Sequence, residues 1–290
     1  MKKLFTLWLV ILGLHCAFSQ EKTTQENEVD EIIDNLLLED QDMNAFIESI
    51  SDFQFVYLSA NYSNDTYFSG RDIGIDQYNV RPQITYMHTK GFFASLSGVY
   101  YSEFIPNWDY TTVTVGYGTS LDKKKLVRLN SSYSRYFYSE GVENPFTNAV
   151  SVGLGVKNKK KTLGTQLSCT YLFGDDNSFQ IDSRSFVAFQ LVKTKEMGLK
   201  IKPQLSIVAG QQTLELAQTS LQNGVLITNY LENDVFDLIN TQVNIPLQFS
   251  SNSFDVELGY SINFPFELAN ESNLPTTGYF NLSIGYMIDL

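Results

Sequence analysis

Roughly a dozen stretches of this chain alternate apolar and polar residues, and the connections between them alternate short and long. The last stretch shows the pattern most plainly. Phe280, Leu282, Ile284, Tyr286, Ile288 and Leu290 fall in one phase, and Asn281, Ser283, Gly285 and Met287 in the other. A period of two is a strand with two unlike faces. On a soluble sandwich the outer face carries Lys and Glu, whereas this polar face is small and mostly uncharged, as in the lumen of a barrel. The pattern predicts an all-β fold, a transmembrane antiparallel β-barrel of about twelve strands with a short N-terminal amphipathic helix. The strands fall at residues 53–62, 78–88, 92–101, 110–121, 126–138, 146–156, 162–173, 179–192, 198–210, 236–249, 254–264 and 278–290. Each reaches the ~9–11 residues that a tilted strand needs to cross a bilayer.

The connections predict orientation. Short turns at 89–91, 122–125, 158–161, 194–196 and 250–253 belong on the periplasmic side, and the longer loops between them outside the cell. An even strand count then returns both termini to the periplasm. Aromatic residues gather where strands meet the long loops (Tyr100, Phe104, Trp108, Tyr110, then Tyr136, Phe137, Tyr138, then Phe264, Phe266), as an interfacial belt does. Residues 211–235 are read as a loop. Within it QQTLELAQTSLQN is compatible with a short helix and GVLITNYL with a strand extension or a further strand, so ten and fourteen strands stay open.

The chain begins as an exported protein does. Lys2 and Lys3 precede the apolar run from Leu4 to Leu14, and Ala17 and Ser19 supply the small residues of a cleavage site, which makes 1–19 a signal peptide. Cys16 raises a lipoprotein alternative, against which stand His15 and Gly13. Without Cys16 the sole cysteine is Cys169, in phase with Leu167 and Tyr171, so no intramolecular disulfide forms. No later stretch has eighteen consecutive apolar residues, so a closed barrel is the remaining way to span a membrane. The net charge of -12 argues against nucleic acid.

Residues 20–52 form an acidic periplasmic segment, ahead of the barrel at 53–290. Val29, Ile32, Ile33, Leu36 and Leu37 recur at helical spacing, as do Met43, Phe46, Ile47 and Ile50. An acidic polar face suits a membrane surface poorly. The segment either caps the barrel mouth near the Lys-rich turns, docks a periplasmic partner through Leu36, Leu37, Phe46 and Ile50, or is a solvated leader.

Catalytic chemistry finds little support. His88 is the one histidine after residue 19 and falls beside a short turn, whereas a barrel hydrolase needs its histidine toward the outer rim. No second His or second Cys is available to complete a zinc set. Asp175, Asp176 and Asn177 read as a turn rather than a calcium loop. No cofactor is expected, and the chain is read as a non-enzyme.

The non-lipid phase names a candidate lumen lining: Arg81, Gln83, Arg128, Arg184, Lys200, Lys202, Gln204, Asn240, Gln242, Asn244, Asp255 and Glu257, with Asn130, Gln166 and Asn281. Lys200 and Lys202 are expected at the depth of Asp255 and Glu257. These charges either satisfy one another and fill the barrel or form a selective constriction. In the loop after the first strand, Tyr67, Phe68, Arg71 and Asp72 are expected either to form an extracellular recognition surface or to fold over the mouth, with Arg71 paired to Asp72.

These features together resemble the small outer-membrane β-barrel proteins of Bacteroidota. The likeness covers residues 53–290 and rests on the Gln20 start, the NDTYFSGRDIGIDQYN loop with its following strand, and the aromatic–glycine alternation of the last strand. The resemblance implies outer-membrane lipid and the barrel-assembly machinery as partners, although Leu290 stands where an aromatic is usual, and it implies no specific activity. The expected function is a narrow diffusion channel or porin for small polar solutes. Its alternative is a non-conducting structural or binding barrel acting through loops or the N-terminal helix, with an outer-membrane enzyme third.

Overall fold

The computed structural model describes residues 54–290 except 89, 143, 195–196, 223–224, 252, 268–270 and 272, and only the backbone of 212–235. The expected signal peptide and the acidic helix with Leu36, Leu37, Phe46 and Ile50 lie outside the described residues. In chain order the strands are β1 (Phe55–Ser63), β2 (Tyr67–Phe68), β3 (Arg71–Asp72), β4 (Asn79–Met87), β5 (Phe92–Tyr101), β6 (Trp108–Ser120), β7 (Val127–Tyr138) and β8 (Phe146–Lys157). They continue with β9 (Leu163–Gly174), β10 (Asn177–Val187), β11 (Phe189–Lys193), β12 (Met197–Ile201), β13 (Gln204–Gln222), β14 (Val225–Ser251), β15 (Phe254–Pro265) and β16 (Thr277–Asp289).

These strands close into one antiparallel barrel of twelve staves. Two staves are interrupted. Ala188 separates β10 from β11, and Lys202-Pro203 separates β12 from β13, because Pro203 has no N–H to give the ladder. Val187 N–H to Pro203 O (3.0 Å) and Lys202 N–H to Pro246 O (3.1 Å) carry the pairing past the breaks. The first and last staves pair from Phe55↔Asp289 to Ser63↔Asn281, so the sheet has no open edge. Such closure is what lets a sheet satisfy its backbone in lipid.

The outward phase is an apolar band, with Ile84, Phe92, Leu96, Val152, Leu167, Leu258, Phe280 and Tyr286 exposed. Cys169 shares this outward phase with Leu167 and Tyr171, and its thiol is free. The inward phase holds the buried polar residues, among them Asn61, Thr85, Asn130, Gln204, Asn263 and Ser283. The side-chain period therefore assigns one face to lipid and the other to a lumen.

The short turns lie at one end, the turn end, together with Gln54 and Leu290. At two of them the first residue fixes the turn. Asp122 carboxylate oxygens accept the N–H groups of Lys124, Leu126 and Val127 at 3.1, 2.7 and 2.8 Å, and Asn158 Oδ1 accepts those of Thr162 and Leu163. Such Asx bonds stand in for a backbone turn. At the opposite, loop end, the backbone of 211–235 is a two-stranded ribbon rather than a loop or helix. Pairing of β13 with β14 runs from Gln211↔Phe236 to Gln222↔Val225. The ladders to β10 and β15 end at Gly210 and Asn240, so among the described residues the ribbon continues roughly 40 Å past them at about 3.3 Å per residue.

Candidate functional site

The lumen divides into an open part toward the loop end and a packed part toward the turn end. The open part consists of two joined cavities of about 290 and 280 Å³. Both far exceed the roughly 10–15 Å³ that one water needs, so this space is hydrated. Short hydroxyl residues make the inner chamber, including Ser95, Ser97, Thr112, Ser134, Ser151 and Thr170. Arg81 and Arg184 line both cavities and therefore stand where the two join. They come from β4 and β10, second and eighth from β1 and thus on opposite sides of the ring. Arg184 Nε donates to Ser206 Oγ at 3.2 Å. Gln83 lines the inner chamber beside Arg81 and donates to Thr85 Oγ1.

The outer chamber is roofed by the β2–β3 hairpin, which folds into the mouth. Phe68 stacks on Phe104 and tilts against Tyr101, and Tyr67 meets Tyr279. Burial, followed by the Asp65 carboxylate that accepts its hydroxyl, holds the Tyr67 phenol above its usual pKa. Gly70 supplies the tip of the hairpin with φ 79°, where a Cβ would collide with the Asn240 side chain. Its carbonyl accepts Thr277 Oγ1–H at 2.9 Å. That hydroxyl ends a polar chain in which Asn240 and Gln242 donate to Asn263 and Asn263 donates to Thr277. Arg71 makes a two-pronged pair with Glu271 (2.7 and 2.8 Å) and donates to Phe266 O. The expected Arg71–Asp72 pair is therefore replaced. In a two-residue hairpin, Asp72 turns to the Gly74 N–H at 2.7 Å, and Arg71 reaches the last long connection.

At the turn end the lumen is filled. Phe55, Tyr57, Met87 and Phe93 are at most 3% exposed, and they face inward. The outward–inward phase alone assigns them to the lumen. The length of their rings is accommodated by glycines on neighbouring strands, since Phe93 lies over Gly116 and Tyr57 over Gly285. Tyr57 Oη–H donates to Asp255 (2.7 and 3.0 Å to its two oxygens). Gln248 Nε2 donates to Glu257 at 2.6 Å, and Asn281 Nδ2 donates to it at 3.4 Å. Lys200 shares a ladder row with Gln248 and Glu257, which brings the lysine strand and the acidic strand to one level. Lys202 Nζ lies 4.3 Å from the Phe186 ring centre. Arg128, Gln204 and Asn244 are buried as well. The acidic pair is thus held by Tyr57 and amide donors, a role for Tyr57 and Gln248 that the sequence reading did not assign. His88 follows β4 at the turn end, where its Nδ1 accepts the Lys90 N–H.

No protein-family model matches the chain, and no curated protein matches it. Among solved structures, the chain is similar to the NanC porin, with a TM-score of 0.46 and 12% identity over 80% of this chain and 98% of that one. It is also similar to the KdgM porin, with a TM-score of 0.46 and 10% identity over 80% and 98%. LpxR from Salmonella typhimurium matches with a TM-score of 0.43 and 10% identity over 79% and 99%. What these chains have in common with this one is the shape of the barrel.

Proposed function

We propose that the protein is an outer-membrane diffusion channel for small polar solutes, narrow and entered from the loop end. The observation that carries this reading is the hydrated polar lumen, whose two chambers meet between Arg81 and Arg184. Opposed guanidinium groups in a cavity lined by hydroxyls favour hydrogen-bonding solutes and exclude apolar ones. In this reading Lys200, Lys202, Asp255 and Glu257 form a second, charged level below the first. The export signal read at 1–19 and the resemblance to Bacteroidota barrels support an outer membrane. In this reading the short turns and chain ends are periplasmic, 20–52 is an acidic periplasmic segment, and the assembly machinery inserts the barrel. The proposed role is passage, with no enzymatic step.

The packed turn end favours a second reading, a non-conducting barrel that binds through its mouth and loops. Single-channel conductance of the refolded chain from residue 20 in planar bilayers separates the two. Discrete steps whose ion selectivity changes in Arg81→Gln and Arg184→Gln support the channel. Silence from β-rich, heat-modifiable protein rejects it in favour of the binding barrel.

A further inference from the structure

The outward phase of the barrel contains one exception to its chemistry. Between the two rims, and among the described residues, it presents apolar, hydroxyl and amide side chains and a single charge, Arg135 on β7. Its neighbours across the ladder are Val113 and Asn148, which share its outward face. A guanidinium on the lipid face is costly at the bilayer midplane and nearly free at the interface. Arg135 lies three residues before Tyr138, the loop-end limit of β7, hence about 10 Å along the strand from the rim. Tyr133 and Phe137 share its outward phase on β7, with Tyr171 outward on β9, as in an aromatic girdle. The depth is that of lipid headgroups.

The side chain is also held in place. Nη1 donates to Thr147 Oγ1 at 3.1 Å and to Asn148 Oδ1 at 2.9 Å, and the guanidinium carbon lies 5.9 Å from the Phe137 ring centre. Asn148 Oδ1 is itself fixed by the Tyr133 hydroxyl at 2.7 Å. All these partners are neutral. Among the described residues no carboxylate stands within ion-pair distance of Arg135, and its Nε–Nη2 edge has no protein acceptor. Arg71, the other arginine near the loop end with a mapped partner, spends that same edge on Glu271.

We propose that Arg135, positioned by Thr147, Asn148 and Phe137, is the headgroup site for a phosphate-bearing lipid of the leaflet at the loop end. A planar guanidinium edge matches two phosphate oxygens, and such charge-assisted pairs are the strong ones. The neighbouring rings suit the glycerol, sugar or upper acyl carbons of the same molecule. This site rests on the membrane insertion argued above, and with the proposed orientation its ligand is a phosphorylated glycolipid.

Native mass spectrometry of the refolded chain in detergent tests the site, with bisphosphorylated lipid A and its dephosphorylated counterpart as probes. The wild type is expected to retain the phosphorylated probe about ten-fold better, and Arg135→Gln is expected to bring the two probes to parity. Arg135→Lys keeps the charge without the fork and is expected to fall between, which also serves if the Gln variant fails to become heat-modifiable. Equal discrimination in wild type and Arg135→Gln overturns the proposal. Conductance is read on the same samples. A conducting barrel without Arg135-dependent retention overturns the lipid site alone, and a silent barrel that shows the retention overturns the channel alone.

Discussion

The two ends of the lumen are built from the same twelve staves and yet behave as opposites. Toward the loop end many of the inward side chains are Ser and Thr, which leave space around Arg81 and Arg184 that water fills. Toward the turn end they are Phe, Tyr, Met and long charged chains, closely packed, with Phe93 and Tyr57 laid over Gly116 and Gly285 of other staves. The backbone is continuous through both, so the bore of this barrel is set by side-chain volume alone. Two sealing devices also differ in kind. The turn end is closed by packed rings and a buried Tyr57–Asp255 bond, and the mouth is roofed by a hairpin tied down through Arg71–Glu271.

The largest effect is expected from emptying the packed end. Phe93→Ala or Tyr57→Ala should each cost about 3–5 kcal/mol, read as a shift of the urea midpoint for folding into vesicles. If this end is the seal, the surviving barrels should also conduct more; unchanged conductance would place the seal elsewhere. Tyr57→Phe tests the polar part separately, removing the hydroxyl from Asp255 at a cost of about 1.5–3 kcal/mol, in the same titration. Arg71→Ala at the mouth should cost only about 1 kcal/mol, because the pair is 17% and 30% exposed and screened. That cost should shrink in 1 M salt, and an equal loss at low and high salt would deny the ion pair its role. Ser97→Phe fills the open chamber and should change stability by less than about 1 kcal/mol while cutting conductance, the reverse of Phe93→Ala. A drop in both would mean that the chamber wall is packed after all.

The smallest expected effect concerns a turn. The N–H groups of Val127, Leu126 and Lys124 hold the Asp122 carboxyl below the ordinary carboxylate range. A depressed folded-state pKa contributes stability that is present above the unfolded value and is lost as pH falls through the folded one. Protection of the amides in residues 122–127, taken relative to the intrinsic exchange rate at each pH, should therefore fall in acid, below the usual carboxylate pKa, and Asp122→Ala should abolish that dependence.

The period of two in the sequence located every stave and its outward face, because lipid imposes one chemistry on all outward positions. Stave ends were legible to within a few residues wherever a turn residue stood guard. The ribbon is partly legible: GVLITNYL is open to a strand extension, whereas QQTLELAQTSLQN reads as loop or helix although Asn223-Gly224, a strong hairpin pair, lies between Gln222 and Val225. The packed end was only half legible. Its charged members follow from phase, and phase also turns Phe55, Tyr57 and Phe93 inward, but the room for the Tyr57 and Phe93 rings shows only when they are set against Gly285 and Gly116. The partner of Arg71 was beyond any local reading, since Glu271 is 200 residues away and the neighbouring Asp72 is sterically unsuited in a two-residue turn.

The seam between the first and last staves has a consequence in time rather than in space. Phe55 finds its hydrogen-bonding row only when Asp289 has arrived, so the circle is joined only after all twelve staves are present. Every shorter nascent form carries two raw strand edges, each a template for another chain. A chain that stops even one stave early is therefore a species to be escorted or destroyed. Pairing of β16 with β1 is thus the single step that removes both edges at once.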